Sequence, residues 1–385
     1  MTAHAPKVAH ANISVLLTAS EVYPAMERSF LSATTGISAG YRFFDLQTKL
    51  RSDEGRAIGE DYFDRMTHVL AKGIKLTFIL SDFDAVLAPD LHANSWKTRR
   101  EFVTARKFVG PDADLTVTNA AHSARTGILP RFFLWPRLVK EVNKTAAKLN
   151  EMPSGGRARL LECSPSLRPM LRQDGNGGLR ARRWPVPPVI PGTHHQKVCI
   201  IDRRGAFIGG LDLNEWRYDD KRKRSETWQD LQLMSSGPVA IDLHEFLDVV
   251  TGIKQPTAGG GGGRLLRTLS RRRTRVGIFL RPKPMVQTIA DDHYHLIERA
   301  RGLIYLEAQF LRDITLCGHL ARAGRDHPSL SLIAVVPPRP KRWRSLTQPD
   351  RIRAMVNTCR QNVSACCPKR LATDLPYARP CGPRR

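Results

Sequence analysis

Pairable cysteine is what this chain most plainly lacks. Its seven cysteines are odd in number and none stands in a C-x-x-C pair, so neither a disulfide framework nor a zinc-ligand spacing is encoded. Four of them, Cys359, Cys366, Cys367 and Cys381, crowd the C-terminal end. Long apolar runs are missing too. The longest, Ile13 to Ala19 and Leu330 to Pro338, fall well short of the ~20 residues that span a bilayer, so no transmembrane helix is expected. Met1 to Lys7 carries no clustered basic segment followed by an apolar one, so no secretory signal is expected and a cytoplasmic location follows by default. Aromatic residues make up only 7% and do not interleave with basic ones, which speaks against a base-stacking surface. Acidic residues are scarce against basic ones, 36 to 61, giving a net charge of +25. With pI near 10.4, such a chain favours anionic partners: nucleic acid, acidic lipid headgroups or phosphorylated substrates.

What is present suffices for a globular protein. A chain of 385 residues with 41% hydrophobic content suggests two or three domains with sizeable cores. Apolar spacing predicts a helix from Glu21 to about Ala33 and a strand from Gly40 to Phe44. A second helix, Arg56 to Lys72, is ended by Gly73 and leads into a strand from Ile74 to Leu80. The segment from Trp96 to Lys148 reads as mostly helical, broken at Pro111, Gly127, Pro130 and Pro136. Residues 151–192, rich in Gly, Pro and Arg, read as a long exposed basic loop. Strands follow at Val198 to Ile201, Ala206 to Ile208 and Leu231 to Met234, then a helix from Val239 to Val250. The run Gly259 to Gly263 is expected to be a flexible linker, since no lysine-serine pair follows it. Beyond it a helix (Val286 to Ala300) and strands at Leu303 to Leu306 and Leu330 to Val336 repeat the opening order, which argues for a duplicated α/β unit.

The most informative stretch occurs once: His195-Gln196-Lys197, then Asp202, then Phe207-Ile208-Gly209-Gly210-Leu211-Asp212-Leu213. A histidine and a lysine two apart on a strand share a face, and a glycine pair lets a phosphate approach backbone N–H groups. His195 is the candidate nucleophile, a neutral imidazole that would attack phosphorus, with Lys197 neutralising the phosphate oxygens. Asp202 is expected to order local structure, and His194 to point to the other sheet face. The bland alternatives are a satisfied polar histidine and glycines that merely mark a turn.

The spacing H-x-K-x4-D followed by Gly-Gly resembles the histidine-lysine-aspartate motif of the phospholipase D superfamily. Ala206 to Leu213 with Arg217-Tyr218-Asp219 looks like the first motif of its eukaryotic-type branch, and Trp228-Gln229-Asp230 with Gly237-Pro238-Val239-Ala240 is similar to that branch's sequel. Leu303 to Phe310 resembles the strand before the second motif. The resemblance implies an α/β fold of duplicated lobes, mixed sheets flanked by helices, with the second lobe incomplete. It implies catalytic roles for His195 and Lys197, a supporting one for Asp202, and a phosphate site lined by Gly209, Gly210, Asp212, Glu307 and Gln309. It implies no metal and no cofactor. Members work with two motifs, and no histidine after His195 has a lysine two positions on.

The expected organisation is a flexible arm (1–20), a first lobe (21–253), a Gly/Arg linker (254–275), the start of a second lobe (276–340) and an irregular basic cysteine-rich tail (341–385). Only residues 337–385 follow Val336, where the first copy uses residues 81–194 to reach its histidine. The tail fits truncation or an altered frame, or else a disordered basic tail. The leading expectation is a phospholipase D-like phosphodiesterase, hydrolase or phosphatidyl transferase, acting on phospholipid and impaired by the missing motif. A nuclease of the same superfamily and a non-catalytic phosphate- or anionic-lipid-binding remnant are the alternatives. Peripheral contact with an anionic membrane is compatible with the charge; nucleic acid ranks below lipid, and a monomer ahead of a homodimer.

Overall fold

The computed structural model describes residues 12–184, 186, 189–218, 230–252, 265–273, 277–279, 282–308 and 311–335. The chain divides into two compact units, one of residues 1–265 with 269–286, the other of 266–268 with 287–385.

The first unit opens with β1 (Ile13–Leu17), α1 (Thr18–Leu31) and β2 (Gly36–Tyr41). Then come α2 (Asp53–Arg56), α3 (Tyr62–Ala71), β3 (Lys75–Asp82), α4 (Pro89–Val109) and β4 (Leu115–Ala121). After these lie α5 (Ile128–Asn150), α6 (Ser154–Glu162), β5 (Leu171–Gln173), β6 (Leu179–Ala181), β7 (Val198–Ile201), β8 (Gly205–Gly209), β9 (Leu231–Ser236) and α7 (Pro238–Val250). A ribbon of β10 (Thr268–Arg271) and β11 (Lys283–Gln287) follows.

Seven strands form one mixed sheet in the order β1-β9-β8-β7-β2-β3-β4. Strands β2, β3 and β4 are mutually parallel, and β7, β8, β9 and β1 add to them antiparallel. The pleat sends alternate side chains to opposite faces. Leu76, Phe78, Leu80, Cys199 and Phe207 face the larger core with α1, α3 and α4. Ile79, Val198, Ile200 and Ala206 face the second, where α7 supplies Ala240, Leu243 and Leu247. Both faces of the central strands are thus buried, the usual condition for parallel pairing. The α/β class with a mixed, helix-flanked sheet is as expected.

Local signals account for several boundaries. The Asp61 carboxylate accepts from the N–H groups of Phe63 and Asp64 and starts α3. Gly73, at φ 74°, stops the chain beyond α3 in a backbone region that favours glycine.

Four expectations need correction. Residues 13–20, expected in a flexible arm, form β1 and the first turn of α1, because β9 offers an open edge with which Ile13–Leu17 pair. The strand expected at Gly40 to Phe44 lies four residues earlier. Gly40 packs so tightly against Leu247 that a Cβ there would stand 2.7 Å from its Cδ2, and such a contact with α7 is invisible to local pattern. The helical reading of Trp96 to Lys148 missed β4, an edge strand of alternating exposure, and expected breaks at Pro130 and Pro136 that α5 passes through. Pro130 sits in the first turn, where no N–H is needed. Beyond Pro136 the buried stripe of Leu138, Val142, Ala146 and Leu149 holds the helix. Residues 151–192 are not simply a loop: α6, β5 and β6 lie there, and Leu167, Leu171, Ala181 and Val189 share a separate core with α5.

In the second unit α8 (Thr288–Arg299), β12 (Leu303–Glu307), α9 (Ile314–Asp326) and β13 (Ser331–Val335) form a small α/β layer. Strands β12 and β13 pair in parallel, and Ile297, Leu320, Ala323 and Leu330 form its core. The glycine run 259–263 and the tail 341–385 lie outside the described residues. Among the described residues no helix is long and apolar enough to cross a membrane.

Candidate functional site

His195 and Lys197 stand just before β7, in the extended lead-in, at the end of the sheet where β2 and β3 finish. Being two apart they share a side. Lys197 Nζ lies 3.1 Å from His195 Nδ1 and donates to the His195 carbonyl at 3.1 Å. Arg42, the residue after β2, brings Nη1 to 3.4 Å from His195 Nε2. Two cations therefore flank one imidazole. Desolvation of the ring, reinforced by the charges of Lys197 and Arg42, lowers the His195 pKa to about 4, so at neutral pH the ring carries a lone pair. His195 is exposed, whereas Lys197 is buried.

Beneath them lies Asp212, fully buried. Its Oδ1 accepts from the Phe43 N–H at 3.0 Å, while Oδ2 faces Lys197 Nζ at 3.9 Å and Arg217 Nη2 at 3.7 Å. Burial pushes the Asp212 carboxyl up and the Lys197 ammonium down, and each opposes the shift of the other. The Tyr23 hydroxyl donates to the carbonyls of Asp212 and Asn214, fixing this loop to α1. The guanidinium of Arg42 also stacks over Phe43 and Phe83 at 4.9 and 5.6 Å from their centroids, which limits its reach to the side of His195. A cavity of about 90 Å³ shares Arg42 with this cluster and is lined further by Phe43, Asn94, Lys97, Asn214 and Trp216, among others, but not by His195 or Lys197.

Asp202 goes elsewhere. Asp202, carried on β7's far end, accepts from the N–H groups of Thr34, Thr35 and Gly36 and from both threonine hydroxyls. Burial works against its charge, but those hydrogen bonds hold the carboxyl far below the usual range. Gly36 and Arg42 bracket β2, so Asp202 is on the order of 20 Å from the histidine at strand rise.

The glycine pair does not offer free N–H groups. Gly209 donates to the Lys197 carbonyl at 3.3 Å and Gly210 to the Leu231 carbonyl at 3.1 Å. At Gly209 the backbone of β9 leaves no room for a side chain, since a Cβ would meet the Leu231 carbonyl, whereas a Cβ on Gly210 would have to displace the Asp230 carboxylate. Their expected contact with phosphate is replaced by sheet packing. Asp212, expected to line the phosphate, is an anion under the cations, because a buried ammonium needs a counter-charge.

Glu307 ends β12 in the second unit, where its Oε1 accepts from the Tyr305 hydroxyl. Gln309 lies outside the described residues, as do Asp219, Trp228 and Gln229. The His194 ring lies 5.1 Å from that of His122, and the His194 carbonyl accepts from Ser81 Oγ. Sequence reasoning missed Arg42, which sits in no motif and reaches the site only through the pairing of β2 with β7.

No protein-family model matches the chain. Over 46 residues it is 41% identical to phospholipase D1 of Homo sapiens, a match covering 12% of this chain and 4% of that protein. Over that stretch the chain is phospholipase D-like in sequence. Among solved structures it is similar to a phospholipase D family member, Nuc from Salmonella typhimurium. That overlap has TM-score 0.32 and 8% identity, covering 63% of this chain and 93% of the other. It is also similar to the polyphosphate kinase from Porphyromonas gingivalis, at TM-score 0.43 and 12% identity, over 86% of this chain and 39% of the other. At these scores the likeness identifies no chemistry.

Proposed function

We propose that the chain is a phosphodiester-cleaving enzyme of the phospholipase D superfamily, with phospholipid as substrate and His195 as nucleophile. One observation carries the reading. An imidazole held neutral, with cations 3.1 and 3.4 Å from its two nitrogens, is arranged to attack an anionic phosphorus centre. Lys197 can direct its proton to the His195 carbonyl, which leaves the ring free to present Nε2 toward Arg42 and solvent.

The Nε2 lone pair forms a bond to phosphorus as the bond from phosphorus to the leaving oxygen breaks. Lys197 and Arg42 take up charge on the non-bridging oxygens, and Asp212 keeps Lys197 charged and aimed. The departing alkoxide takes a proton from water. The hydroxide so formed attacks phosphorus, breaking the P–N bond and restoring the neutral imidazole. The sequence supplies no second histidine-lysine pair for these proton transfers, whose loss costs ~10²–10⁴-fold in rate. The covalent intermediate is therefore expected to turn over slowly.

The test is release of headgroup alcohol from phosphatidylcholine vesicles and of nitrophenol from a soluble aryl phosphodiester, by the full chain and by His195→Ala. Activity is expected in the wild type and lost in the variant, with an acid-labile phosphoryl adduct on the wild type alone. Equal activity in the variant would discard His195 as nucleophile. The single motif favours a second reading, a remnant that binds phosphate without turnover. Lys197-dependent phosphate affinity with no adduct and no product would select it.

A further inference from the structure

We propose that the N-terminal half of α5 is a docking surface for an anionic lipid interface. Four large apolar side chains there stand in solvent: Phe133 is 85% exposed, Phe132 and Leu129 each 52%, and Ile128 44%. At ~100° per residue these four fall within an arc of about 140° on one side of the helix. The buried stripe of Leu138, Val142, Ala146 and Leu149 is centred about 110° around the helix from the exposed four, and none of the four belongs to that core.

The patch extends beyond the helix. Gly127, the residue before α5, donates to the Phe279 carbonyl at 3.0 Å. It approaches the Gly277 carbonyl so closely that no side chain would fit at 127. This brings Ile278 and Phe279, 67% and 43% exposed, beside the helix start. A cluster of this kind, rimmed by charge, marks an interaction site rather than scattered surface apolarity.

Charge identifies the partner. Farther along, Lys140 continues the arc, and Arg137, Lys144 and Lys148 border it on the adjoining solvent-facing sector, all exposed, with Lys144 paired to Glu141. Apolar side chains at one end of a helix and cations along it match hydrocarbon bordered by anionic headgroups. Phe132 and Phe133 could stack bases of a single strand, but the exposed aliphatic Ile128, Leu129 and Ile278 offer a base nothing and suit hydrocarbon, which favours lipid. Location agrees. The segment 122–127 joins β4 to α5, and His122 contacts His194, the neighbour of the candidate nucleophile, so docking would present the sheet end that bears His195. The proposal deepens the phospholipid reading above, although vesicle binding needs no turnover.

The experiment is cosedimentation of the full chain with vesicles of phosphatidylcholine alone and of phosphatidylcholine mixed with phosphatidylserine. Binding is expected to the mixed vesicles and to weaken with salt. Phe132→Ser with Phe133→Ser should lower the partition coefficient roughly 10- to 100-fold. Lys140→Glu with Lys144→Glu should lower it about 10-fold or more. Thermal unfolding should match wild type, since none of these side chains is buried; were the phenylalanine variant unfolded, the lysine pair decides. Unchanged binding by both variants overturns the proposal, as does a wild type that ignores mixed vesicles. Loss of single-stranded DNA binding in the variants with vesicle binding intact also overturns it. Hydrolysis of the soluble aryl diester, read separately, isolates failure of the catalytic reading from failure of docking.

Discussion

Lys197 and Asp212 form a buried pair whose members cannot be removed singly. An ammonium and a carboxylate 3.9 Å apart, both almost inaccessible, each compensate the desolvation of the other. Asp212→Ala is expected to cost about 3–5 kcal/mol, because it strands Lys197 and also removes an acceptor from the Phe43 N–H. Urea unfolding measures this. Lys197→Met combined with Asp212→Leu should recover most of the loss while leaving no activity, whereas a double variant as unstable as the single one would show that packing, not charge, is responsible. Both residues stood out in the sequence, yet Asp212's position beneath the cations did not. A carboxylate near a glycine pair has no preferred role until its neighbours are known.

Among the elements, β7 carries both ends of the motif. Its leading end presents His195 and Lys197, and its trailing end places Asp202 at φ 52°, a backbone region rarely adopted by non-glycine residues, where its carboxylate ties β7 to the start of β2. Loss of these hydrogen bonds, discounted for partial exposure, should cost roughly 1–3 kcal/mol in Asp202→Ala and less in Asp202→Asn, which keeps the turn preference. The soluble-diester assay separates this role from chemistry: an unchanged rate per folded molecule in Asp202→Asn is expected, and a rate as low as that of His195→Ala would put Asp202 in the reaction. Strands β7, β8 and β9 and helices α1 and α7 were legible because their apolar spacing is strong, even though β7, β9 and α1 find partners far away in sequence. Strand β4 was not, since an edge strand of alternating exposure in Leu-Thr-Val-Thr-Asn-Ala-Ala carries a weak apolar signal. The elements of 151–192 were hidden by Gly, Pro and Arg, which say nothing of the α5 face that Leu167 and Leu171 cover.

For the molecule as a whole, pH is the accessible lever. His194 and His195 both have pKa values of about 4 in the folded state, lowered by burial first and then by neighbouring charge. Unfolded histidine titrates near ~6.5, so between these values the unfolded chain binds more protons and stability rises with pH. The contribution is full above pH ~6.5 and is lost as pH falls toward 4. Urea midpoints from pH 7.5 to 4.5 should therefore decline, and less steeply in a His194→Gln, His195→Gln variant; equal slopes would mean that the rings are not held neutral by the fold. The same depressed value places the acid limb of any His195-dependent rate near pH 4 rather than 6.5.

Chemical character was determined by sequence alone: a basic α/β chain with one histidine-lysine pair in an extended lead-in, read from residue types and spacings a few positions apart. Only tertiary structure decided which groups surround that pair. Arg42 arrives from β2, 153 residues away; Asp212 slides beneath; the glycine N–H groups are spent within the sheet, and Asp202 is carried to the opposite end. The reason is physical: spacing along a strand fixes the face and direction of a side chain, whereas its electrostatic partners depend on which strands pair, and pairing joins segments more than a hundred residues apart.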